Sequence, residues 1–305
     1  MFFANSHAYG GGLGFMDFNA LGINDKFLFG GMISTEGWLA ATMYIHTPGT
    51  SSSLGWNILF FYSKQERTDS DEKDNDIRRF GVKRLFTSVG LNYRITDPAS
   101  AILNLSFVDA KIYNIDNPFS VPENNEKLIN LNPGLKIQKN NWDGYFLSQK
   151  KIEINYTYSF GIDSSSFQEI NIETNYEKSI IPGFRMFSRA GMIYSPDAPP
   201  LFESRPGAIE IDILPQSFSA KNYIGGSAGL EKCIFKSSYG ILSLLSSYQV
   251  VYSDGPILGE RIDHGALGAV RFYLRKIAIP AFGLGVSYNV SEKYLQAAFS
   301  MGMSF

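Results

Sequence analysis

The chain has 305 residues, a formal net charge of -2 at pH 7, and 44% hydrophobic, 14% aromatic and only 18% charged residues. That composition excludes a disordered chain, and the near-neutral charge supplies no basic field for nucleic acid. No apolar run approaches the roughly 20 residues of a membrane helix, and a single cysteine, Cys233, excludes an internal disulfide framework and four-cysteine zinc sites.

In chain order, the N-terminal "MFFANSHAYGGG" lacks the charged start, apolar stretch and cleavage site of a secretory signal. Either the protein stays inside or residue 1 is not the true start. From there, alternation of apolar with polar or very small residues predicts strands near 7–18, 25–36, 37–48, 54–66, 85–95, 100–113, 131–142, 150–162, 167–179, 184–195, 222–236, 240–253, 265–277, 281–290 and 293–305. In "KIEINYTYSFGID" the apolar set Ile152, Ile154, Tyr156, Tyr158, Phe160 and Ile162 alternates without a break with Lys151, Glu153, Asn155, Thr157, Ser159 and Asp163. "QEINIETNYEK" and "AFGLGVSYNV" repeat the period of two. Short turns built on Pro or Gly, "TDPA", "WDG", "IIPG" and "IAIP", alternate with longer polar connections, "RTDSDEKDNDIRR", "NIDNPFSVPENNEKLIN" and "SPDAPPLFESRPGAIEIDILPQSF".

A soluble β-sandwich also alternates, but at this size it needs runs that are apolar on both faces, or helices, to fill a core. An all-β transmembrane antiparallel barrel of about 15–16 strands, spanning 1–305 as one domain, explains both the greasy face and the alternation of short turns with long outer loops. A closed sheet satisfies every lipid-embedded N–H and C=O, and strands of about 9–11 residues span the hydrocarbon layer. Tyr9, Tyr62, Tyr93, Phe184, Tyr252 and Tyr294 suit aromatic girdles. The closing "KYLQAAFSMGMSF" puts Leu295, Ala297, Phe299, Met301, Met303 and Phe305 on one face and ends on a free aromatic.

That ending resembles the C-terminal signal of bacterial outer-membrane barrels, carried by Leu295, Phe299, Met301, Met303 and Phe305. "GGGLGFMDFNALGIND" at 10–25 resembles the strand, "N-x-x-G" turn and strand that open the barrel of the bacterial surface antigen family, the BamA/TamA-type proteins. "WDGYFLSQKKIEI" resembles its "D-x-G-Y-F" turn, and "YIGGSAGLEKCIF" the strand after its longest loop. The resemblance implies a sixteen-stranded barrel in the bacterial outer membrane that acts in protein assembly or translocation. Its expected partners are membrane lipid, lipopolysaccharide, client barrels and other assembly-machinery subunits, with no nucleic acid, cofactor or metal. It makes 7–18 the second strand and leaves only "MFFANS" for the first. Residues 1–6 then form a stub strand, or fifteen strands close irregularly, or the chain lacks a full first strand, the POTRA domains and the signal peptide; the last is favoured. The family's "[VIL]-R-G-[FY]" tetrapeptide, which folds into the lumen to meet an acidic residue, is absent. Its nearest counterparts are Arg205 and Gly207 in "SRPG" and the segment "DILPQSF", with Gln249 or Asp254 near the place of the acidic partner. Both halves depart together from the family pattern, which bears on family-type insertion activity more than on fold.

Catalysis finds little support. His7, His46 and His264 stand in no nucleophile motif. Glu153, Glu169, Glu173 and Glu177 read as a wetted lumen that would favour cations in an open pore, and "TDSDEKDND", without the glycine and closing glutamate of an EF-hand, reads as a solvated outer loop. "GGGLG" at 10–14 precedes no helix, so it reads as close strand packing rather than a phosphate loop. The rival functions are a passive pore or structural surface barrel, and the membrane anchor of a larger patatin-like lipase.

Overall fold

The computed structural model describes residues 2–4, 9–17, 25–48, 52–116, 125–142, 144–162, 165–209, 211–255, 259–274 and 280–301. Within them, sixteen antiparallel strands follow one another around a closed barrel. They are β1 (Phe2–Ala4), β2 (Tyr9–Asp17), β3 (Lys26–Ser34), β4 (Gly37–His46), β5 (Leu54–Ser70), β6 (Asp76–Arg94), β7 (Ala99–Asp116) and β8 (Glu126–Trp142). The second half comprises β9 (Leu147–Gly161), β10 (Phe167–Ile181), β11 (Phe184–Tyr194), β12 (Asn222–Lys236), β13 (Gly240–Gly255), β14 (Gly259–Leu274), β15 (Pro280–Asn289) and β16 (Tyr294–Met301). The stub β1 completes the ring, with Phe2, Phe3 and Ala4 paired to Met301, Ser300 and Phe299 on one side and to Gly11, Gly10 and Tyr9 on the other.

The period of two sets the two faces. Along β9, Ile152, Ile154, Tyr156, Tyr158 and Phe160 point outward and exposed, whereas Lys151, Glu153, Asn155, Thr157 and Ser159 turn into the lumen. A closed ladder that leaves such a continuous apolar belt uncovered is built for lipid, which covers the belt while the ring pairs the backbone. Among the described residues no helix is long and apolar enough to cross a membrane. Tyr62, Tyr93 and Tyr252 face outward as expected of girdle residues. Tyr294 does not: it turns inward and its hydroxyl donates to Asp74 Oδ2 at 3.0 Å. The Tyr9 side chain lies outside the described residues. At "GGGLG", a Cβ on Gly12 would come within 2.6 Å of the Gly31 carbonyl oxygen, so its missing side chain permits the close approach of β2 and β3.

Several strands outrun the sequence pattern. β5 continues to Ser70 and β6 starts at Asp76, so "RTDSDEKDNDIRR" is a hairpin tip and not the solvated loop its charge suggests. Asp69 and Arg78, on facing strands of that hairpin, are 0% and 1% exposed. The alternation is masked there because the inward residues are charged, and their charge is neutralised inside the mouth.

Candidate functional site: the loop folded into the barrel mouth

The connection between β11 and β12, residues 195–221, lies at the same rim as the 71–75 tip and the 290–293 turn, the rim of the long outer loops. It contains a 3₁₀ turn at Pro200–Phe202 and a four-residue helix, α1, at Pro206–Ile209. Reciprocal backbone hydrogen bonds of 2.9 Å between Ser204 and Ala220 pinch its two limbs together. Six of its apolar residues, Leu201, Ile211, Ile213, Leu214, Phe218 and Ala220, are each at most 1% exposed. The loop is therefore folded into the mouth, where it hides residues that water would reject.

The wall opposite is made to receive it. Leu201 and Ala198 pack with Phe80, Val82, Val108 and Leu128 on β6–β8, while Ile211, Ile213, Leu214 and Phe218 pack with Ile193, Tyr223 and Val251 on β11–β13. A Cβ on Gly225 would sit 2.9 Å from Ile211 Cδ1 and 3.1 Å from Val251 Cβ, so the glycine lets Ile211 pack close against β12.

Charge fastens the loop further. Asp69 is surrounded by three guanidiniums: Arg67 Nε at 2.8 Å, Arg205 Nη2 at 2.6 Å and Arg78 Nε. Arg78 also pairs with Glu203, which accepts from Ser219 Oγ at 2.6 Å. Arg67 Nη1 donates to the Leu201 carbonyl at 2.6 Å. One buried anion on the wall thus holds a cation of the loop, and one buried cation of the wall holds an anion of the loop. Paired and hydrogen-bonded in this way, charges can leave water.

Of the sequence candidates, Arg205 meets Asp69 and the Thr68 carbonyl rather than the strand after the loop. Gly207 is packed so tightly that a Cβ would stand 2.1 Å from the Pro215 carbonyl oxygen. Gln249 does reach the loop: its Nε2 donates to Asp212 Oδ2 at 2.8 Å and its Oε1 accepts from Ile213 N at 3.2 Å. Asp254 stays at the rim, accepting from Asn222 Nδ2 at 3.3 Å. The structure brings Gln249 to "DILPQSF" and carries Arg205 to a different wall. Asp69, Arg78 and Glu203 escaped the sequence reading. The usable signal was Ser63, Gln65, Arg67 and Asp69 continuing the inward positions of β5 at period two. At the C-terminus, Leu295 is outward and exposed; the backbones of Phe299 and Met301 lie in β16, and Met303 and Phe305 lie outside the described residues.

A second element crosses the mouth. Ser70 N donates to the Ser217 carbonyl at 3.0 Å, Lys73 pairs with Glu292 at 3.1 Å, and Arg261 pairs with Glu292, with Asp263 at 2.7 Å and with Glu72 at 3.7 Å. Burial pushes the Glu292 carboxyl up, but hydrogen bonds from Arg261 and Lys73 outweigh it and hold the group below its ordinary range. At Glu72 burial wins over Arg261 and the carboxyl is raised.

The far end of the lumen is tied by wall residues. Arg185 donates to Glu231 at 2.7 Å, to Glu177 at 2.8 Å and to the Tyr273 hydroxyl at 3.1 Å, beneath the Phe146 ring 4.7 Å away. Phe146 belongs to "WDGYF", whose Asp143 lies outside the described residues; its ring meets Tyr273 edge-on at 5.5 Å. Glu153, Glu169, Glu173 and Glu177 all face inward; Lys151 bridges Glu153 and Glu173 at 3.1 and 2.6 Å, while Glu177 is not wetted but buried against Arg185 at the far end. His46 and His264 are on the outer face, His46 Nδ1 at 2.6 Å from Asp25 and His264 beside the Tyr248 hydroxyl; His7 lies outside the described residues.

No protein-family model and no curated protein matches the chain. Solved structures do. BamA from Haemophilus ducreyi lacking POTRA domains 1-3 superposes with a TM-score of 0.69 at 13% identity, over 100% of this chain and 69% of that one. CdiB from Acinetobacter baumannii matches at 0.66 and 14% over 100% of this chain and 58% of its own, and CdiB from Escherichia coli at 0.66 and 14% over 96% and 58%. The chain thus spans little more than half the length of the two CdiB structures. With its ring of antiparallel strands, apolar belt and mouth-filling loop, the chain has the fold of the BamA-type outer-membrane β-barrels.

Proposed function

We propose that the chain is a barrel of the bacterial outer membrane that acts in protein assembly or translocation, without catalysis of its own. The observation that carries this reading is the occupied mouth: a loop whose apolar residues are buried and whose charges pair with the wall suits a regulated barrel better than a passive pore. The likeness to BamA and CdiB over nearly the whole chain supports the same class. In the proposed mechanism the seam between β1 and β16 opens, and a client strand pairs with the free edge of β16, gaining main-chain hydrogen bonds by β-augmentation. The lipid-facing belt and the outer rim would meet membrane lipid and lipopolysaccharide.

Two measurements test this together. Purified barrel in planar bilayers is expected to conduct little at rest, and depletion of the protein in its host is expected to lower the folded fraction of other outer-membrane barrels, with recovery on re-expression. A large steady conductance combined with unchanged barrel assembly would replace this reading with the passive pore.

A further inference from the structure

Under the mouth loop, against the wall made by β3–β6, lies a cavity of about 380 Å³ whose lining includes Ser34, Ser63, Gln65, Arg67, Arg84 and Arg205. Its three arginines are compensated unequally. Arg67 uses Nε on Asp69 and both terminal nitrogens on the Leu201 and Glu203 carbonyls. Arg205 shares Asp69 through Nη2, but its Nε is buried without a hydrogen-bond partner. Arg84 also has a buried, unpartnered Nε, and it forms no ion pair among the described residues; its neighbour is the Phe202 ring at 5.9 Å. Two carboxylates reach the lining as well. Glu66 is held by Arg79, and Glu36 sits in the turn between β3 and β4.

A guanidinium stays charged at any ordinary pH, so withdrawing it from water without a counter-ion is costly. Arg84 lines a roomy polar cavity with no carboxylate of its own among the described residues and with the Arg67 and Arg205 guanidiniums in the same lining, a concentration of positive charge that suits an anion. That anion must accept several N–H bonds at once, which planar carboxylates and phosphates do in bidentate fashion. The Ser63 hydroxyl and the Gln65 amide add neutral donors in the same lining, whereas the Ser34 hydroxyl donates to the Gly37 carbonyl. We propose that this cavity is a binding site for a small oxyanion, a phosphate or carboxylate group, held by Arg84 of the wall and Arg205 of the loop. Because the two arginines belong to different elements, the anion ties the loop to β6 and strengthens mouth closure.

The test uses the full chain folded in detergent and dialysed against radiolabelled inorganic phosphate or acetate, with ionic strength held constant by chloride. Saturable uptake approaching one anion per chain is expected, and Arg84→Gln should weaken it at least tenfold. Preference for phosphate identifies a phosphate-bearing ligand, and preference for acetate a carboxylate. The proposal fails if neither anion binds saturably, or if Arg84→Gln binds as tightly as the unaltered chain. Should Arg84→Gln not fold, Arg84→Lys keeps the charge and removes the fork; unchanged phosphate and acetate affinities in that variant would equally overturn the site.

Discussion

Two ion clusters close the two ends of the lumen, and they are built as opposites. At the outer mouth a single carboxylate, Asp69, is shared by Arg67, Arg78 and Arg205. At the far end one central guanidinium, Arg185, is shared by Glu177 and Glu231, with Arg189 at the margin 3.4 Å from Glu177 and Arg271 4.0 Å from Glu231. The outer cluster joins wall to loop across more than a hundred residues of sequence, as Arg78 does to Glu203. The inner one joins wall strands to one another, helped by the Tyr273 hydroxyl and the Phe146 ring. The difference teaches which part of the molecule can move. Breaking the outer cluster frees a segment that can leave, whereas breaking the inner one strains the ring itself.

The largest effect is therefore expected inside the ring. Arg185→Leu removes the nearest cation from two buried carboxylates, leaving Glu177 only Arg189 at 3.4 Å and Glu231 only Arg271 at 4.0 Å, and removing one partner of such a pair costs roughly 3–5 kcal/mol. Heat modifiability on unboiled gels should register it as a lower unfolding temperature, with the resting bilayer conductance unchanged. A variant as stable as the parent would show that water reaches this end of the lumen. At the outer mouth, Asp69→Asn should lower global stability less, by about 1–3 kcal/mol, because the loop can carry Arg205 out into solvent while Arg67 and Arg78 stay on the wall. Its signature is conductance: large openings should appear, together with protease cleavage between 195 and 221. If Asp69→Asn only lowered the unfolding temperature, as Arg185→Leu should, the proposed contrast between hinged loop and fixed ring would be lost.

Much of this fold was legible in the sequence because the lipid face repeats faithfully. Ile152 to Phe160 announce a strand whose outside is greasy, and the structure leaves those residues exposed. The inward face is harder to read, since a wet lumen and an ion-paired lumen both present charged residues at alternate positions. Glu153 and Glu173 sit in the wetter part, bridged by Lys151. Asp69 and Arg78 have the same local pattern but are enclosed by a loop more than a hundred residues away, and nothing local records that. Arg205 was singled out for its resemblance to a family motif, yet its partner is Asp69 and not the strand after the loop. Gln249, one of the two positions the resemblance offered, reaches the loop because it lies two residues from Val251 on the same inward face of β13.

Gln249 offers the next smaller test of the loop. Its amide serves both a donor and an acceptor on the loop, and Gln249→Leu leaves Ile213 N and the Asp212 carboxylate without those partners. A loss of about 1–2 kcal/mol is expected, seen as brief openings in single-channel records rather than a sustained pore. Gln249→Glu should keep the Ile213 bond and set a second carboxylate against Asp212, so it should open the mouth more often than Gln249→Leu. The reverse order would show that Asp212 does not face position 249 in the closed mouth.

The smallest expected effect is a pH response at the tip that crosses the mouth. Glu292 is held below its ordinary value of 4.5 by Arg261 and Lys73, against the pull of burial. A depressed acid stabilises the closed state above its free-state value, and that contribution fades as pH falls through the depressed value. Acidification from pH 5 toward 3 should then loosen the 290–293 turn from Lys73 and Arg261. Glu72 works in the opposite sense: burial raises its value, so the stability from its neutral form is present at low pH and lost as pH rises through that raised value. The two partly cancel, and the parent mouth should vary with pH by less than about 1 kcal/mol. Glu292→Gln removes one side of the balance. In that variant acidification should tighten the mouth, measured as a fall in opening frequency between pH 6 and pH 4, and a variant that still loosens with acid would place the titrating group elsewhere in the lumen.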